Sequence, residues 1–379
     1  MTQIYLIRHA EAEGNLYRRM HGQYNSGVTE LGRLQIEALG DRFSDIPLDA
    51  VYASDLCRTM ETAAVLCRRK QLPLHTEPRL REINVGVWED MPFGNAEEEY
   101  PDAMAQFMTD PNTWLLQEAE TYETVARRGV EALRDIAEAN PGKSVAVAAH
   151  RIIISAILDY LFPEIAGQGG SANTAVSLLT YENGMFSLVF SHNADHLGPA
   201  QRRAHLGGSG RDMWFKPLGD DVETYIRYRR DAWQVVYGDL QGFDGPGFWL
   251  DAQRTIGPDP GAMVEGFLGG KPVGMIQLSP DRDKEKEVGY IPFLYLRKDF
   301  RHQGLGIQLV GHAVSFYRKL GRKKLQLSVA PTNENALKFY EKFGFTQVKK
   351  QRGRFGHLLL MEKDISMPAG PQDIEIIRT

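Results

Sequence analysis

Cysteine is scarce in this chain: Cys57 and Cys67 are the only two in 379 residues. Two thiols cannot staple a disulfide scaffold, and their spacing is not that of metal ligands. Both fall in one predicted helical stretch, where geometry disfavours a bridge between them. A reducing cytoplasm is the expected compartment. No apolar run approaches the roughly 18 residues that read as a membrane span. A dominant charge is lacking too: 44 Lys and Arg against 49 Asp and Glu leave a net charge of −5. The chain as a whole therefore has no electrostatic pull toward nucleic acid or an acidic membrane. Repeats and low-complexity tracts are absent. The length suits two domains of ordinary size, each able to build its own core.

What is present begins near the amino terminus. Ile4-Tyr5-Leu6-Ile7 is an apolar run that reads as a buried strand, and Arg8-His9 follows it directly. The end of a strand is where open α/β sheets hold ligands. Further stretches extend the pattern. Asn25 to Gln35 reads as a loop into a helix capped by Thr29. Val51 to Ala63 carries Ser54 and Arg58 across a strand-to-helix turn, with Ser54 the expected N-cap. Leu80 to Glu89 holds Glu82 in a loop, and Val145 to Ala149 is a second apolar run, ending at His150.

These five stretches, in this order over residues 1 to about 195, resemble the histidine phosphatase family, the phosphoglycerate-mutase-like enzymes. A phosphate ester is a dianion, and Arg8 and Arg58 each offer a planar fork of donors for it. Asn15 adds an amide donor. The resemblance implies that His9 is the nucleophile that becomes phosphorylated and that His150 steadies the transferring phosphoryl group. It also implies that Glu82 is the general acid, with Glu89 a rival for that role. A cleaved leader is not expected, since its removal would take Arg8 and His9 with it.

Two positions depart from the family pattern. Ala10 stands where Gly follows the first His, and Arg151 where Gly follows the second. A long side chain at 151 would either disturb the pocket or reach an extra anionic group on the substrate. Little more than two helical stretches fill Trp88 to His150, which favours hydrolysis over a mutase.

The second half reads differently. Phe300 to Val310 contains Arg301-His302-Gln303-Gly304-Leu305-Gly306, a phosphate-cradle spacing that opens an amphipathic helix. A strand over 326–329 and a helix over 333–344, ending at Gly344, follow it. The pair resembles the GNAT family of acyl-CoA-dependent N-acetyltransferases over about residues 212–365. By that resemblance acetyl-CoA is the cosubstrate and no metal is required. Arg301 and backbone amides of Gln303, Gly304, Leu305, Gly306 and Ile307 hold the pyrophosphate. The strand through Leu294 and Leu296 pairs with the pantetheine arm, and Asn333 and Asn335 lie beside the cosubstrate. Tyr340 protonates the departing thiolate. Glu287, with Glu285 nearby, is the expected base, a water relay being the alternative. The basic run Arg318, Lys319, Arg322, Lys323 and Lys324 reads as dipole partners at a helix end.

The expected fold is a three-layer α/β/α sandwich followed by a GNAT α+β domain with a mixed sheet. The expected division is a phosphatase domain over 1–195, a mobile linker over 196–211, an acetyltransferase domain over 212–365 and a frayed tail over 366–379. The expected function is bifunctional: phosphomonoester hydrolysis through phosphohistidine, and acetyl transfer to a small-molecule or peptide amine. Fusion points to one pathway, or to one amine-bearing phosphorylated metabolite. Two alternatives stand beside this: a single catalytic half with the other serving as a ligand or acyl-CoA sensor, or a mutase in the first half.

Overall fold

Ile4–Ile7 and Val145–Ala149 become neighbouring parallel strands at the centre of a seven-stranded sheet. The computed structural model describes residues 1–167, 172–202, 211–353 and 356–378. The chain divides into two units. One comprises Met1–Met91, Glu99–Leu206 and Pro368–Thr379, the other Pro92–Glu98 and Gly207–Met367.

In chain order the first half contains β1 (Thr2–Arg8), α1 (Glu13–Tyr17), α2 (Glu30–Arg42), β2 (Ala50–Ala53), α3 (Cys57–Lys70) and β3 (Leu74–Thr76). Next come α4 (Phe93–Glu99), α5 (Pro101–Thr109), α6 (Tyr122–Ala139), β4 (Ser144–Ala149), α7 (Arg151–Leu161), β5 (Val176–Glu182) and β6 (Met185–Asn193). Three helices, rather than two helical stretches, thus lie between Trp88 and His150. The second half contains β7 (Trp214–Pro217), α8 (Val222–Tyr237), α9 (Gly245–Thr255), β8 (Met263–Leu268), β9 (Lys271–Ser279) and β10 (Val288–Leu296). It continues with α10 (Gly306–Lys319), β11 (Lys324–Val329), α11 (Glu334–Lys342), β12 (Thr346–Gly353), β13 (Gly356–Asp364) and β14 (Ile376–Arg378).

The first sheet is mixed, in the order β14-β3-β2-β4-β1-β5-β6, with β5 and β6 antiparallel. Its central strands are apolar on both sides because both faces are covered. Ile7, Val51, Ala146 and Ala148 join Ile36 and Leu39 of α2 and Ala63 and Val65 of α3 in one core cluster. Neighbours of opposite parity, Ile4, Leu6, Val145 and Val147, are fully buried on the other face. Helices α6 and α7 pack against each other and on β1.

Two expectations are corrected here. Residues 366–379 read as frayed, yet Ile376–Arg378 pairs in parallel with Leu74–Thr76 and forms the sheet edge. The expected mobile linker begins too early. Leu197 is 2% exposed, and Gln35 Nε2 donates to the Gln201 carbonyl at 2.9 Å, so the stretch to Arg202 is packed. The rest of that linker, 203–210, lies outside the described residues.

The second sheet runs β12-β13-β11-β10-β9-β8-β7. Only β10 and β11 are parallel, and their pairing stops at Ile291↔Leu327. Strand β10 continues to Leu296 against β9 alone, after a register shift between Tyr290 and Phe293. Pro292, which has no N–H to give a ladder, sits at this irregularity. The basic run is taken up locally: Arg318 Nε donates to the Ile365 carbonyl at 2.7 Å, and Lys324 pairs with Glu362 at 3.0 Å.

Candidate functional site

Parallel register builds the first site. Arg8 of β1 lies opposite Ala149 of β4, so the residues that follow, His9 and His150, emerge side by side at the carboxyl ends of the strands. Their ring centroids are 5.2 Å apart. Burial, followed by the neighbouring Arg58 and Arg8 guanidiniums, holds the His9 imidazolium pKa well below its usual 6.5. The imidazole is therefore neutral at physiological pH. Its Nδ1 lies 2.7 Å from the Ala10 carbonyl. A carbonyl only accepts, so the proton is on Nδ1 and Nε2 carries the lone pair.

His150 is fully buried, and burial followed by Arg58 pushes its pKa down as well. Arg58 Nε donates to its Nδ1 at 3.2 Å, which puts the proton on Nε2, 2.7 Å from Ser54 Oγ. Ser54 Oγ lies 2.7 Å from Thr59 Oγ1. Ser54 is thus the partner of His150. The residue at the start of α3 is Leu56, so the expected N-cap role is corrected. Thr29 does cap α2, accepting from Gly32 N at 3.1 Å.

Arg58 is 2% exposed, and burial lowers its pKa to about 10. Nη1 donates to the Tyr24 carbonyl at 3.0 Å, and Nη2 to those of Gly22 at 2.7 Å and His21 at 3.3 Å. Buried donors need acceptors. Most of the expected phosphate fork is therefore turned to this loop. Arg8 is 8% exposed, and burial followed by Arg151 lowers its pKa to about 10. Both guanidiniums remain charged at neutral pH.

Glu82 is 7% exposed. Its oxygens accept from the amides of Ile83 at 3.1 Å, Ile152 at 3.1 Å and Ile153 at 3.0 Å. It thereby sits at the start of α7, adjacent in the chain to His150. Arg128 braces the same loop, donating to the carbonyls of Arg79 and Arg81 at 2.6 Å and Glu82 at 3.0 Å. Glu89 has a different task. It accepts from Gln23 N and Tyr24 N, both at 2.7 Å, and fixes the loop that holds Arg58. Asn15 Oδ1 accepts from Ala12 N at 3.0 Å, closing the start of α1.

Neither departure from the family pattern strains the backbone. Ala10 and Arg151 both have negative φ, so a glycine is not required at either position. Arg151 opens α7 with an exposed side chain whose charge is felt at Arg8. Sequence reasoning missed Arg128, Asn173 and the Ser54–Thr59 pair. Asn173 Nδ2 donates to the His9 carbonyl at 2.9 Å. No residue spacing announces these contacts.

The second site is made largely of backbone. Beyond Ile291, β10 leaves β11, and Leu294 and Leu296 lie on the diverging segment. The turn after β10 contains His302 at φ 59° and Gly304 at φ 79°. No side chain caps the start of α10. A helix start of this kind suits an anion such as a pyrophosphate. The side chains of Arg301 and Gln303 bond backward, to the carbonyls of Leu296 at 2.9 Å and Asp299 at 2.8 Å. Gly306 faces Phe339 of α11, since a Cβ there would lie 3.2 Å from that ring. The turn and the helix bearing Tyr340 are therefore adjacent.

Tyr340 is 8% exposed, and burial pushes its phenol pKa upward. Asn333 caps α11 through Ala336 N at 3.3 Å, and Asn335 is exposed. The expected base does not reach the split. Glu287 is exposed, pairs with Lys323 at 2.9 Å and precedes Pro292 by five positions, roughly 16 Å of strand. Glu285 is exposed in the preceding turn. Among the described residues no cluster of three or more His, Cys, Asp or Glu could hold a metal ion, and no helix is long and apolar enough to cross a membrane.

The family model described as histidine phosphatase superfamily (branch 1) matches residues 4–194. The model described as acetyltransferase (GNAT) family matches residues 223–345. A probable phosphoglycerate mutase, GpmB, of Yersinia pestis (strain Pestoides F) is 31% identical over 161 residues, 42% of this chain and 75% of that protein. The protein of the same name from Yersinia pseudotuberculosis (serotype O:1b, strain IP 31758) matches to the same extent. Among solved structures, Bacillus stearothermophilus YhfR superposes with a TM-score of 0.50 at 27% identity, covering 52% of this chain and 99% of that one.

Proposed function

Since the chain belongs to the histidine phosphatase superfamily and carries a GNAT-family domain, we propose that it hydrolyses a phosphate monoester and also acetylates an amine. His9 Nε2 attacks phosphorus as the bond to the leaving oxygen breaks, and Glu82 gives that oxygen its proton. Water then attacks the phosphohistidine, Glu82 takes a proton from it, and neutral His9 is restored. Arg8 and Arg58 hold the charge spread over the phosphoryl oxygens, and neutral His150 joins them by turning its Nε2 proton from Ser54 Oγ to one of those oxygens. Asn15 and Arg151 bind the substrate, Arg151 by reaching a second anionic group at the rim.

In the second half the free-base amine attacks the thioester carbonyl carbon, and the proton its nitrogen loses passes through water to restore Tyr340 after the C–S bond has broken. Amides of the diverging β10 segment hold the oxyanion, and the thiolate leaves with the proton of Tyr340. Arg301, the turn from Gln303 to Ile307 and the strand at Leu294 and Leu296 hold acetyl-CoA, with Asn333 and Asn335 alongside. Cys57 and Cys67 are both free thiols, which supports a cytoplasmic location.

One observation carries the first activity: a neutral His9, protonated on Nδ1, with its lone pair on Nε2 beside His150 and two buried guanidiniums. The test is turnover of a generic aryl phosphate by the full chain. His9→Ala should lower inorganic phosphate release by at least about a thousandfold and leave acetyl transfer intact. Phosphate moving to a second hydroxyl of a phosphoglycerate, without release, would overturn hydrolysis in favour of a mutase. For the second half, Tyr340→Phe should lower CoA release about a hundredfold. An acetyl-CoA melting shift with no turnover of any amine would make that half a sensor.

A further inference from the structure

Arg229 of α8 lies in an aromatic slot against the second sheet. Its guanidinium carbon is 3.9 Å from the Phe293 ring centroid, 5.0 Å from that of Phe248 and 5.3 Å from that of Tyr225. Nε donates to the Tyr225 hydroxyl at 2.9 Å and Nη2 to Gln277 Oε1 at 2.8 Å. Both acceptors are neutral. Among the described residues no carboxylate lies within ion-pair distance of Arg229, and Nη1 donates to no acceptor. Asp251 acts on it only as a more distant charge.

Arg229 is partly exposed, so the Nη1 side of this ring-stacked cation, which has no counter-ion, is left open to water or to a ligand. Burial depresses the Arg229 pKa. The location is informative as well. Phe293 is the first residue after Pro292, where β10 turns from β11 and keeps only β9 as a partner. A carbonyl held by that segment would have Arg229 close by. The edge formed by Nη1 and the remaining Nη2 hydrogen has the geometry that takes an oxyanion through two parallel bonds.

We propose that the amine acetylated by the second half carries a compact oxyanion, a carboxylate or a phosphate-type group, and that the Nη1–Nη2 edge of Arg229 binds it. The assignment rests on the acetyltransferase reading of that half. It narrows the acceptor class from amines in general to amines bearing a short acidic arm. Arg229 is then a specificity-determining residue, selecting the acceptor and taking no part in acetyl-CoA binding.

The test uses the full chain and three acceptors with one carbon skeleton: β-alanine, 2-aminoethylphosphonate and the neutral β-alaninamide. The phosphonate cannot be hydrolysed as an ester, so the first half does not consume it. Acetyl-CoA-dependent CoA release should favour one or both anionic acceptors over the amide by about tenfold or more in kcat/KM. The ratio between the carboxylate and phosphonate arms identifies the oxyanion. Arg229→Gln should abolish the preference by raising the acceptor KM, and Arg229→Lys should restore part of it. The KM for acetyl-CoA should not change in either variant. Equal losses on all three acceptors would make Arg229 a strut between α8 and the sheet and overturn the proposal, as would preference for the amide. If no acceptor turns over, thermal melts separate the two failures. Loss of acetyl-CoA stabilisation counts against the acetyltransferase reading. Arg229-dependent stabilisation by β-alanine or the phosphonate keeps the anion site, and its absence overturns it.

Discussion

On the proposed reading, the two halves hold a phosphate in opposite ways. In the first, buried side chains make the site: two imidazoles and two guanidiniums, with His9, Arg58 and His150 tied to carbonyls, a hydroxyl or each other. In the second, backbone makes it: a strand that leaves its neighbour, a turn with φ of 79° at Gly304 and a helix start without a side-chain cap. A site of linked side chains fails when one link is removed. A site of amides tolerates side-chain loss and fails when the path of the chain changes.

Four substitutions and a pH dependence probe that contrast, in decreasing size of effect. Ser54→Ala removes the Nε2 partner of fully buried His150. It should lower phosphatase kcat by about thirtyfold, the equivalent of roughly 2 kcal/mol. A silent Ser54→Ala would mean that the linked network is not what holds His150 in place. Gly304→Val forces a β-branched residue into left-handed backbone. It should raise the KM for acetyl-CoA about tenfold, whereas Gln303→Ala should change it by less than about threefold. The reverse ranking would break the comparison, because side chains would then be making the second site.

Arg151→Gly should raise the KM of an anionic phosphate ester by about threefold, with kcat nearly constant, as suits an exposed charge. An unchanged KM for the true substrate would remove Arg151 from binding. The smallest effect is one of pH. His9 and His150 are both held below 6.5 by burial, so the base form persists as acid is added. The acid limb of kcat/KM from these groups should therefore fall below pH 6.5, with little change between about pH 6.5 and 7.5. Stability should behave consistently. Below 6.5 the unfolded chain binds protons that these buried rings resist, so the folded state loses stability as pH falls toward their folded pKa values. A titration near 6.5 for both rings would show that they are solvated.

Much of this was legible in the residues. Ile4–Ile7 and Val145–Ala149 are apolar without alternation, as strands covered on both faces must be, and their shared register brings His9 beside His150. The glycine turn before α10 declares a backbone cradle through Gly304. Other features left no trace. Strands β3 and β14 are three residues each, too short for a period to show. The loop carbonyls at 21, 22 and 24 take the donors of Arg58 through contacts more than thirty residues away in sequence. Glu287 has the right residue type at a strand end, but the wrong end of that strand. Pro292 was a readable signal of a break in β10, since proline in a central strand marks a bulge or an edge.

The pairing of Ile376–Arg378 with β3 carries a consequence for how the molecule is made. On the ribosome the amino-terminal sheet emerges early, but its outermost strand is translated after every helix and strand of the acetyltransferase unit. A nascent chain therefore waits with β3 as a bare edge, open to pairing with a neighbouring polypeptide, until β14 has been made. A stop codon between those for Asp364 and Ile376 would leave every strand and helix of the GNAT-family domain in place and still strip the histidine phosphatase sheet of its edge strand.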